Sequence, residues 1–408
     1  KSYSVRQTSA GFALVGHSSD GSEVGLREPA RFIGFNQEGG QLIEFFLEDN
    51  GLKIQFQLYE DGSVNPENGQ FRDLIVESAV TNIVDFEDAV AIVDAEDMVL
   101  ALRNYLGLIK GDIEASSSRG ALKVINQDIN FTGLDGSAQT VKGTSLMSVR
   151  NVSLHMYTDM ITVDGKRISE RMLGVLLTTL IATAHDKGSD VRGPNSRKGY
   201  VYQVTPKLQT AEEVAEQVRF FEAVEERLGL AKNTMLIGIM NEELGMTLQL
   251  AEALQSARSR VFFTNTGFLD RTGSQIRVQT QAGPVDARDD LTKAVFNTSY
   301  ELHNVDVSLR AGVHNQGKIG KGMQVKNRAM AEMMEIKINH PMSGGNTAWV
   351  PAPNPSHLHS MHYHMIDVGQ VQRTMEDSLS PSISRQDLLN FPVLDGNKVA
   401  DQKAKEAL

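Results

Sequence analysis

Two acidic residues, Glu242 and Asp270, have the type and the spacing of a pair that could bind one cation. They are 28 residues apart, about the length of one strand–helix repeat, and each follows a short apolar run typical of a strand. No histidine or cysteine stands beside either of them. Carboxylate oxygens alone suit a hard ion such as Mg²⁺, with waters and substrate oxygens completing the shell. The alternative is a pair of solvated loop carboxylates.

Arg150 is a candidate for binding an anion. It ends the apolar run SLMSVR, and an arginine at a strand end suits a carboxylate or a developing oxyanion. Glu87 and Asp88 follow another apolar run in the same way. The alternative for Arg150 is therefore a structural salt bridge to Glu87 or Asp88.

The segment HLHSMHYH places His357, His359, His362 and His364 within eight residues. A zinc site would need ligands that converge, but no carboxylate lies among them and on a helix only His359 and His362 share a face closely. We therefore predict surface and interface histidines on a helix.

Two further patterns have weak chemical signals. The run GKIGKG, 317–322, lacks the spacing of a phosphate-binding loop, so phosphate binding is not expected there. Trp349, with Pro351 and Pro353, could form a flat apolar wall for an adenine ring, although a tryptophan beside prolines also occurs in ordinary packing.

The composition excludes several classes of protein. The 408 residues contain no cysteine, which rules out disulfides, thiolate metal sites and a cysteine nucleophile. The net charge is −11 and no basic stripe occurs, so nucleic acid is not an expected partner. No run reaches the roughly 18 apolar residues of a membrane span, and we expect a cytoplasmic location without membrane contact. Because the chain starts at Lys1 in a strand-like segment, we expect a partial chain.

Strand-like runs alternate with longer helical patterns through most of the chain. Strands are predicted at 79–84, 145–149, 200–204, 235–240 and 260–264, with helices between them that include about 90–108. This order predicts a parallel sheet with helices outside it. The candidate charged residues all follow strand ends, which favours a (β/α)8 barrel with one mouth over a doubly wound sheet. Residues 1–77 and 111–143 are β-rich, with a hairpin at 42–58, and should pack together as a satellite domain.

Several long segments together resemble malate synthases of the G type. They are DFEDAVAIVDAEDMVLALRNYLGLIKG, SVRNV, IGIMNEE, NTGFLDRTG and NTAWVPAPNPSHLHSMHYH, in the family's order between about residues 77 and 370. The resemblance implies an α/β fold, a (β/α)8 TIM barrel with an inserted β-rich α/β domain. The implied domains are 1–77 and 111–144 for the inserted domain, 78–110 and 145–368 for the barrel, and 369–408 for the start of a linker to a C-terminal helical domain.

The resemblance also implies an activity: Mg²⁺-dependent Claisen condensation of acetyl-CoA with glyoxylate, followed by thioester hydrolysis to malate and CoA in the glyoxylate cycle. In this transferase Arg150 would polarise glyoxylate and stabilise the enolate. The other implied roles are Mg²⁺ ligands (Glu242, Asp270), acidic residues near the metal (Glu87, Asp88), substrate binding (Arg150, Glu242, Gly267, Phe268, Leu269, Asp270) and CoA binding (Lys123, Trp349, Pro351, Pro353).

The chain also departs from the family pattern. The family's catalytic base is an aspartate of the C-terminal domain, in a motif like MEDRATLR, and no such motif occurs in these 408 residues. We therefore expect this chain alone to bind Mg²⁺ and glyoxylate without turnover, and the full-length protein to be a monomer. Asn241 replaces an aspartate, Leu244-Gly245 replace two arginines, Ala89 replaces a serine, Gln209-Thr210-Ala211 replace His-Gly-Pro, and Lys123 replaces an arginine near the CoA phosphates.

Two other functions stay open. One is a divergent acyl-CoA lyase or Claisen enzyme that acts on another 2-oxo acid. The other is a non-catalytic homologue that keeps the metal and ligand sites but has lost turnover.

Overall fold

The computed structural model of the chain describes residues 2–65, 69–78, 81–116, 120–185, 195–323, 329–350, 352–377 and 383–394. The chain forms two compact units. The first unit comprises Lys1–Val80, Glu114–Ser145 and Ala352–Asp367, and the second comprises Thr81–Ile113, Leu146–Pro351 and Val368–Leu408. The assignment of ranges to an inserted domain, a barrel and a linker stays a prediction.

The strands are β1 (Ser2–Thr8), β2 (Gly11–His17), β3 (Glu23–Gly25), β4 (Phe32–Glu38), β5 (Gln41–Asp49), β6 (Leu52–Leu58), β7 (Phe71–Val76), β8 (Thr81–Asp85), β9 (Glu114–Ser116), β10 (Leu122–Val124), β11 (Ile129–Gly133), β12 (Ala138–Val141), β13 (Leu146–Arg150), β14 (Tyr157–Val163), β15 (Lys166–Ser169), β16 (Val201–Thr205), β17 (Met235–Asn241), β18 (Val261–Thr266), β19 (Lys318–Lys321) and β20 (Thr347–Ala348). The α-helices are α1 (Ala95–Lys110), α2 (Glu170–His185), α3 (Ala211–Leu228), α4 (Leu244–Leu248), α5 (Leu250–Ser256), α6 (Phe268–Gln279), α7 (Arg288–Leu291), α8 (Val295–Arg310), α9 (Met330–Ile336), α10 (Asn339–Met342), α11 (Pro353–Met365), α12 (Val368–Asp377) and α13 (Arg385–Leu389).

The first unit contains an antiparallel sheet with the strand order β12-β11-β4-β5-β6-β7. The predicted hairpin is confirmed as β5 and β6, joined at Asn50 and Gly51. Both residues have positive φ, 51° and 79°, which is the backbone that an Asn-Gly hairpin turn requires. Strand β11 pairs with β4, so the two β-rich segments predicted to pack together share one sheet.

Helix α11 belongs to the first unit and carries the histidine cluster. The helix is confirmed, as is the shared face of His359 and His362. The prediction of surface and interface histidines is wrong for these two, since both are buried. Their Nδ1 atoms are 2.8 Å apart and share a hydrogen bond. This bond replaces one that each Nδ1 would make with water, which makes the burial of both rings less costly.

The second unit contains a curled parallel sheet with the strand order β20-β19-β18-β17-β16-β13-β8, seven strands within the described residues. Helices lie between successive strands in the chain, which confirms the TIM-barrel fold class predicted from the alternation. Strand β19, Lys318–Lys321, lies within the run 317–322.

The two faces of this sheet have different partners. Ile237 and Ile239 of β17 pack with Val214 and Phe221 of α3 in the main apolar cluster. Val204, Met240 and Phe263 form a separate cluster with Trp349. Because side chains alternate along a strand, odd positions of β17 face the helices and even positions face away from them.

Local capping residues determine where helices begin. Helix α1 was predicted from about Val90, but it begins at Ala95. Asp94 caps it by accepting a hydrogen bond from the backbone N–H of Asp97, and this leaves 89–93 as a loop after β8. None of the helices in the described ranges is long and apolar enough to span a membrane.

Candidate active site

The predicted site residues lie at the carboxyl ends of neighbouring strands in the second unit. Arg150 is the last residue of β13, and Glu87 and Asp88 follow the end of β8. Glu242 comes directly after β17, and Asp270 lies in the first turn of α6, after β18. Parallel strands present these ends on one side of the sheet.

Arg150 makes a bidentate ion pair that the sequence did not predict. Its Nε and Nη2 donate to the two carboxylate oxygens of Asp85, at 2.8 and 2.6 Å. Its Nη1 lies 2.9 Å from Oε2 of Glu87. The guanidinium carbon also lies 4.9 Å from the centre of the Trp349 ring, in cation–π contact. Arg150 is thus a salt-bridge partner of Asp85 and Glu87.

The ion pairs keep Arg150 charged and aim its guanidinium. Burial alone would lower the pKa of Arg150, but the hydrogen bonds to Asp85 and the charge of Glu87 raise it above its ordinary value. An arginine has five N–H donors, and the two hydrogen bonds to Asp85 use two of them, while the contact with Glu87 is an ion pair without hydrogen-bond geometry. The donors that remain lie on Nη1 and Nη2 and could bind an anionic ligand.

Lys207 is a residue of this site that sequence reasoning missed. It lies two residues after β16, and its backbone is left-handed, with φ of 53°. Its backbone N–H donates to Oε1 of Glu242 at 2.8 Å. Its Nζ forms ion pairs with Glu87 and with Asp88, the latter at 2.8 Å. A lysine just past a strand end was the available signal, the same one that identified Arg150.

Glu242 is buried in a strongly negative environment, with a relative exposure of 1%. Burial, followed by the charges of Asp270 and Glu87, raises the pKa of Glu242 well above its usual range. Gly267 allows a close approach, because a Cβ there would lie only 3.0 Å from Oε2 of Glu242. A cation between Glu242 and Asp270 would offset this repulsion.

The donor set fits a hard divalent ion better than a zinc site. The described ranges contain no group of three or more His, Cys, Asp or Glu side chains placed to hold a metal. Glu242 and Asp270 would therefore supply two oxygen ligands, and water or substrate oxygens the others. Mg²⁺ is commonly bound in this way, with one or two carboxylates and several waters.

Three residues in the segment after β18 have different environments near the site. The backbone N–H of Gly267 donates to the Tyr300 hydroxyl at 2.7 Å. Phe268 is buried in an apolar cluster with Phe296. Leu269 is 54% exposed and lines a cleft next to Asp270. The substrate-binding roles of Gly267, Phe268 and Leu269 stay a prediction.

Two clefts open beside these residues. One, of about 710 Å³, is lined by Glu87, Asp88 and the loop 89–95. The other, of about 580 Å³, is lined by Asp270 and the start of α6. Lys207 and His155 line both clefts, so the charged network lies between two spaces that could hold ligand.

Residues 146–391, more than half of the chain, match the family model described as malate synthase, TIM barrel domain. The chain belongs to the malate synthase family. It is 37% identical to the malate synthase G of Halalkalibacterium halodurans over 93% of this chain and 52% of that protein. It is 36% identical to the malate synthase G of Corynebacterium efficiens over 97% of this chain and 53% of that protein. The chain thus spans about half the length of the curated relatives it matches.

A solved structure, the lead(II) complex of Haloferax volcanii malate synthase, is more distantly similar. The TM-score is 0.40 and the identity 14%, over 80% of this chain and 76% of that one.

The residues that the family resemblance links to CoA are spread over the structure. Lys123 is exposed on β10 of the first unit, and Pro353 begins α11 of the same unit. Trp349 belongs to the second unit and packs against Arg150. Pro351 lies outside the described residues. Their role in CoA binding stays a prediction.

Proposed function

We propose that this chain carries the barrel of a malate synthase, in which Mg²⁺ held by Glu242 and Asp270 acts with Arg150 to bind glyoxylate for condensation with acetyl-CoA. The observation that carries the proposal is the meeting of Arg150, Glu87, Lys207 and Glu242 in one network of ion pairs and hydrogen bonds at the strand ends, where the charge of Asp270 acts on Glu242. The family membership points to the reaction, and the network offers groups that can bind its electrophile.

The reaction forms one carbon–carbon bond and then breaks a thioester. A base removes a proton from the acetyl methyl group, the enolate carbon attacks the glyoxylate aldehyde carbon, and the aldehyde oxygen gains a proton. Water then cleaves the malyl thioester to release malate and CoA. A bound Mg²⁺ would polarise the aldehyde as a Lewis acid.

The chain's own residues bind and orient the electrophile in this proposal. The N–H groups of Arg150 that do not bond to Asp85 would donate to glyoxylate and to the charge that develops on oxygen. Asp85 holds the guanidinium in place through two parallel hydrogen bonds. Lys207 offsets the negative charge of Glu87 and Asp88, which would otherwise repel an anionic substrate.

The proton acceptor is the element for which this chain has no motif. The family's base is an aspartate in the C-terminal domain motif, and a missing base costs roughly 10²–10⁴-fold in rate. We therefore expect the 408-residue chain to bind Mg²⁺ and glyoxylate but to release no CoA at a useful rate. The cytoplasmic location and the monomeric state of the full-length protein are further expectations of the same proposal.

Calorimetry with this chain tests the binding part. Glyoxylate should bind in the presence of Mg²⁺, and both Glu242→Gln and Asp270→Asn should abolish the dependence on Mg²⁺. Asp159→Asn is a matched control, because Asp159 lines the larger cleft and, among the residues that the structure describes, forms no ion pair with the network. Binding that is unchanged in both ligand variants would refute the assignment of the cation site.

A CoA-release assay separates the remaining alternatives. Robust release from acetyl-CoA and glyoxylate would show that the base lies within these residues, with Glu87 and Asp88 as the first candidates. Preference for another 2-oxo acid in a substrate panel would favour the divergent lyase or Claisen enzyme. With the full-length protein, binding without any release would favour the non-catalytic homologue.

A further inference from the structure

Tyr300 joins the two segments that carry the candidate cation ligands. It lies on α8, and its side chain is fully buried against the sheet. Its hydroxyl donates a hydrogen bond to the backbone carbonyl of Asn241. The same hydroxyl accepts one from the backbone N–H of Gly267 at 2.7 Å. One phenol oxygen thus contacts both the end of β17 and the loop after β18.

These two contacts are adjacent to the carboxylates. Asn241 directly precedes Glu242, and Gly267 lies three residues before Asp270. The last paired residues of the β17–β18 ladder are Asn241 and Thr266. Beyond that pair, strand pairing no longer sets the distance between the segment after β17 and the segment after β18. The Tyr300 hydroxyl makes its two contacts at this point.

The Tyr300 ring also contacts the helix that carries Asp270. The guanidinium carbon of Arg271, the residue after Asp270, lies 5.6 Å from the centre of the ring. Arg271 in turn donates to Thr247 Oγ1 at 3.1 Å, and Thr247 donates to the Asn241 side chain at 2.9 Å. The start of α6 and the end of β17 are therefore held to the same aromatic side chain.

We propose that Tyr300 is a positioning residue that sets the separation of Glu242 and Asp270, and through it the cation affinity of the site. The inference rests on the proposed function, in which these two carboxylates bind one ion. A phenol suits this task, because its oxygen can donate and accept at once while the buried ring limits its movement. Both hydrogen bonds are made to backbone groups of Asn241 and Gly267, so the residue types at those positions gave no sign of the link.

The test is the variant Tyr300→Phe, which keeps the ring and removes the hydroxyl. Removal of a group that orients a metal ligand typically weakens metal affinity about 10- to 100-fold. Mn²⁺ serves as the probe, since its binding is read directly by electron paramagnetic resonance and by calorimetry without any turnover. We expect Tyr300→Phe to bind Mn²⁺ at least 10-fold more weakly than the wild type.

Ser308→Ala is the matched control. Ser308 is buried on the same helix, and its hydroxyl hydrogen-bonds that of Thr264, in the middle of β18, at 2.8 Å. The substitution Ser308→Ala therefore removes a hydroxyl that links α8 to β18, at a position away from the carboxylates. Urea unfolding followed by fluorescence of Trp349, the single tryptophan and a residue of the same unit, measures the stability of both variants. Mn²⁺ affinity should change less than about threefold in Ser308→Ala.

The outcomes separate the inference from the proposed function. Wild-type affinity in Tyr300→Phe, or an equal loss in Ser308→Ala, would overturn the positioning role alone. A wild-type chain that does not bind Mn²⁺, or a Glu242→Gln variant that binds it equally well, would overturn the proposed function and the inference with it.

A second measurement keeps the inference testable if Tyr300→Phe does not fold. The Gly267 amide proton of the wild type should exchange slowly and should be protected further by Mn²⁺. Exchange as fast as that of an exposed amide would contradict the hydrogen bond on which the inference depends.

Discussion

The burial of Lys337 within the second unit can be tested quantitatively. It follows α9, is 1% exposed, and donates from Nζ to the carbonyl oxygen of Gly322 at 3.2 Å. Burial lowers the pKa of Lys337 to about 7, although the charge of Glu301 acts in the opposite direction. We predict that Lys337→Met makes the stability of this unit less dependent on pH.

The sign and the size follow from proton linkage. The ordinary pKa of the side chain is 10.5, so between about pH 7 and pH 10.5 the unfolded chain binds a proton that the folded chain does not. The free energy of unfolding therefore rises with pH in this window, by up to about 1.4 kcal/mol per pH unit. Below pH 7 both states are protonated, and burying the charge costs about 5 kcal/mol in all. Lys337→Met removes this cost.

The measurement is urea unfolding of wild type and variant at pH 7 and pH 9, followed by Trp349 fluorescence. The variant also leaves the Gly322 carbonyl without its donor, an offset of about 1–3 kcal/mol that is the same at both pH values. The diagnostic quantity is therefore the difference between the two proteins, which should shift against the variant by about 2 kcal/mol from pH 7 to pH 9. Lys232→Met, at a side chain that is 78% exposed, is the control. A difference that does not change with pH would refute a neutral buried Lys337.

Two further predictions concern the site. Arg150→Lys should leave Mn²⁺ binding intact but weaken glyoxylate binding about 10-fold or more in calorimetry, because lysine keeps the charge and loses the planar fork held by Asp85; unchanged glyoxylate affinity would reduce Arg150 to a structural ion pair. Gly267→Ala should weaken Mn²⁺ binding, because its Cβ would lie 3.0 Å from Oε2 of Glu242. Gly273→Ala, with nothing within 4 Å of the added Cβ, should bind Mn²⁺ like the wild type.

The fold was largely predictable because its signals are local. Alternating apolar residues predicted the β5–β6 hairpin, and strand–helix alternation predicted the parallel sheet. The start of α1 was misjudged because apolar residues continue through 90–93, whereas the cap at Asp94 determines where the helix begins. The burial of His359 and His362 depends on their mutual hydrogen bond, which a pattern of single residues does not reveal.

The site was predictable only where residue type and strand end coincide. Glu242 and Arg150 met both conditions, and the structure brings them into one network. Asp85 ends β8 and Lys207 lies just beyond β16, so both carried the same signal and were overlooked, although together they hold Arg150 and Glu242. Tyr300 acts through backbone groups of residues 33 and 59 positions away, a relation that only the folded chain shows.

Two of the departures that the family resemblance implies, at Asn241 and Gly245, can be related to their surroundings in the second unit. The side chain of Asn241 faces α8, where it donates to Asn304 and accepts from Thr247, so an amide there completes a neutral network behind Glu242. A Cβ at Gly245 would lie 2.5 Å from the carbonyl oxygen of Gln209, so an arginine at 245 would require the Gln209 backbone to move. The resemblance implies a departure at both 209 and 245, and these two positions lie close together. We therefore expect the changes at 209 and 245 to be coupled; Gly245 lies in α4, and Gln209 lines the cleft beside Asp270. The variant Gly245→Arg should therefore destabilise the second unit, because its Cβ would lie too close to the Gln209 carbonyl oxygen.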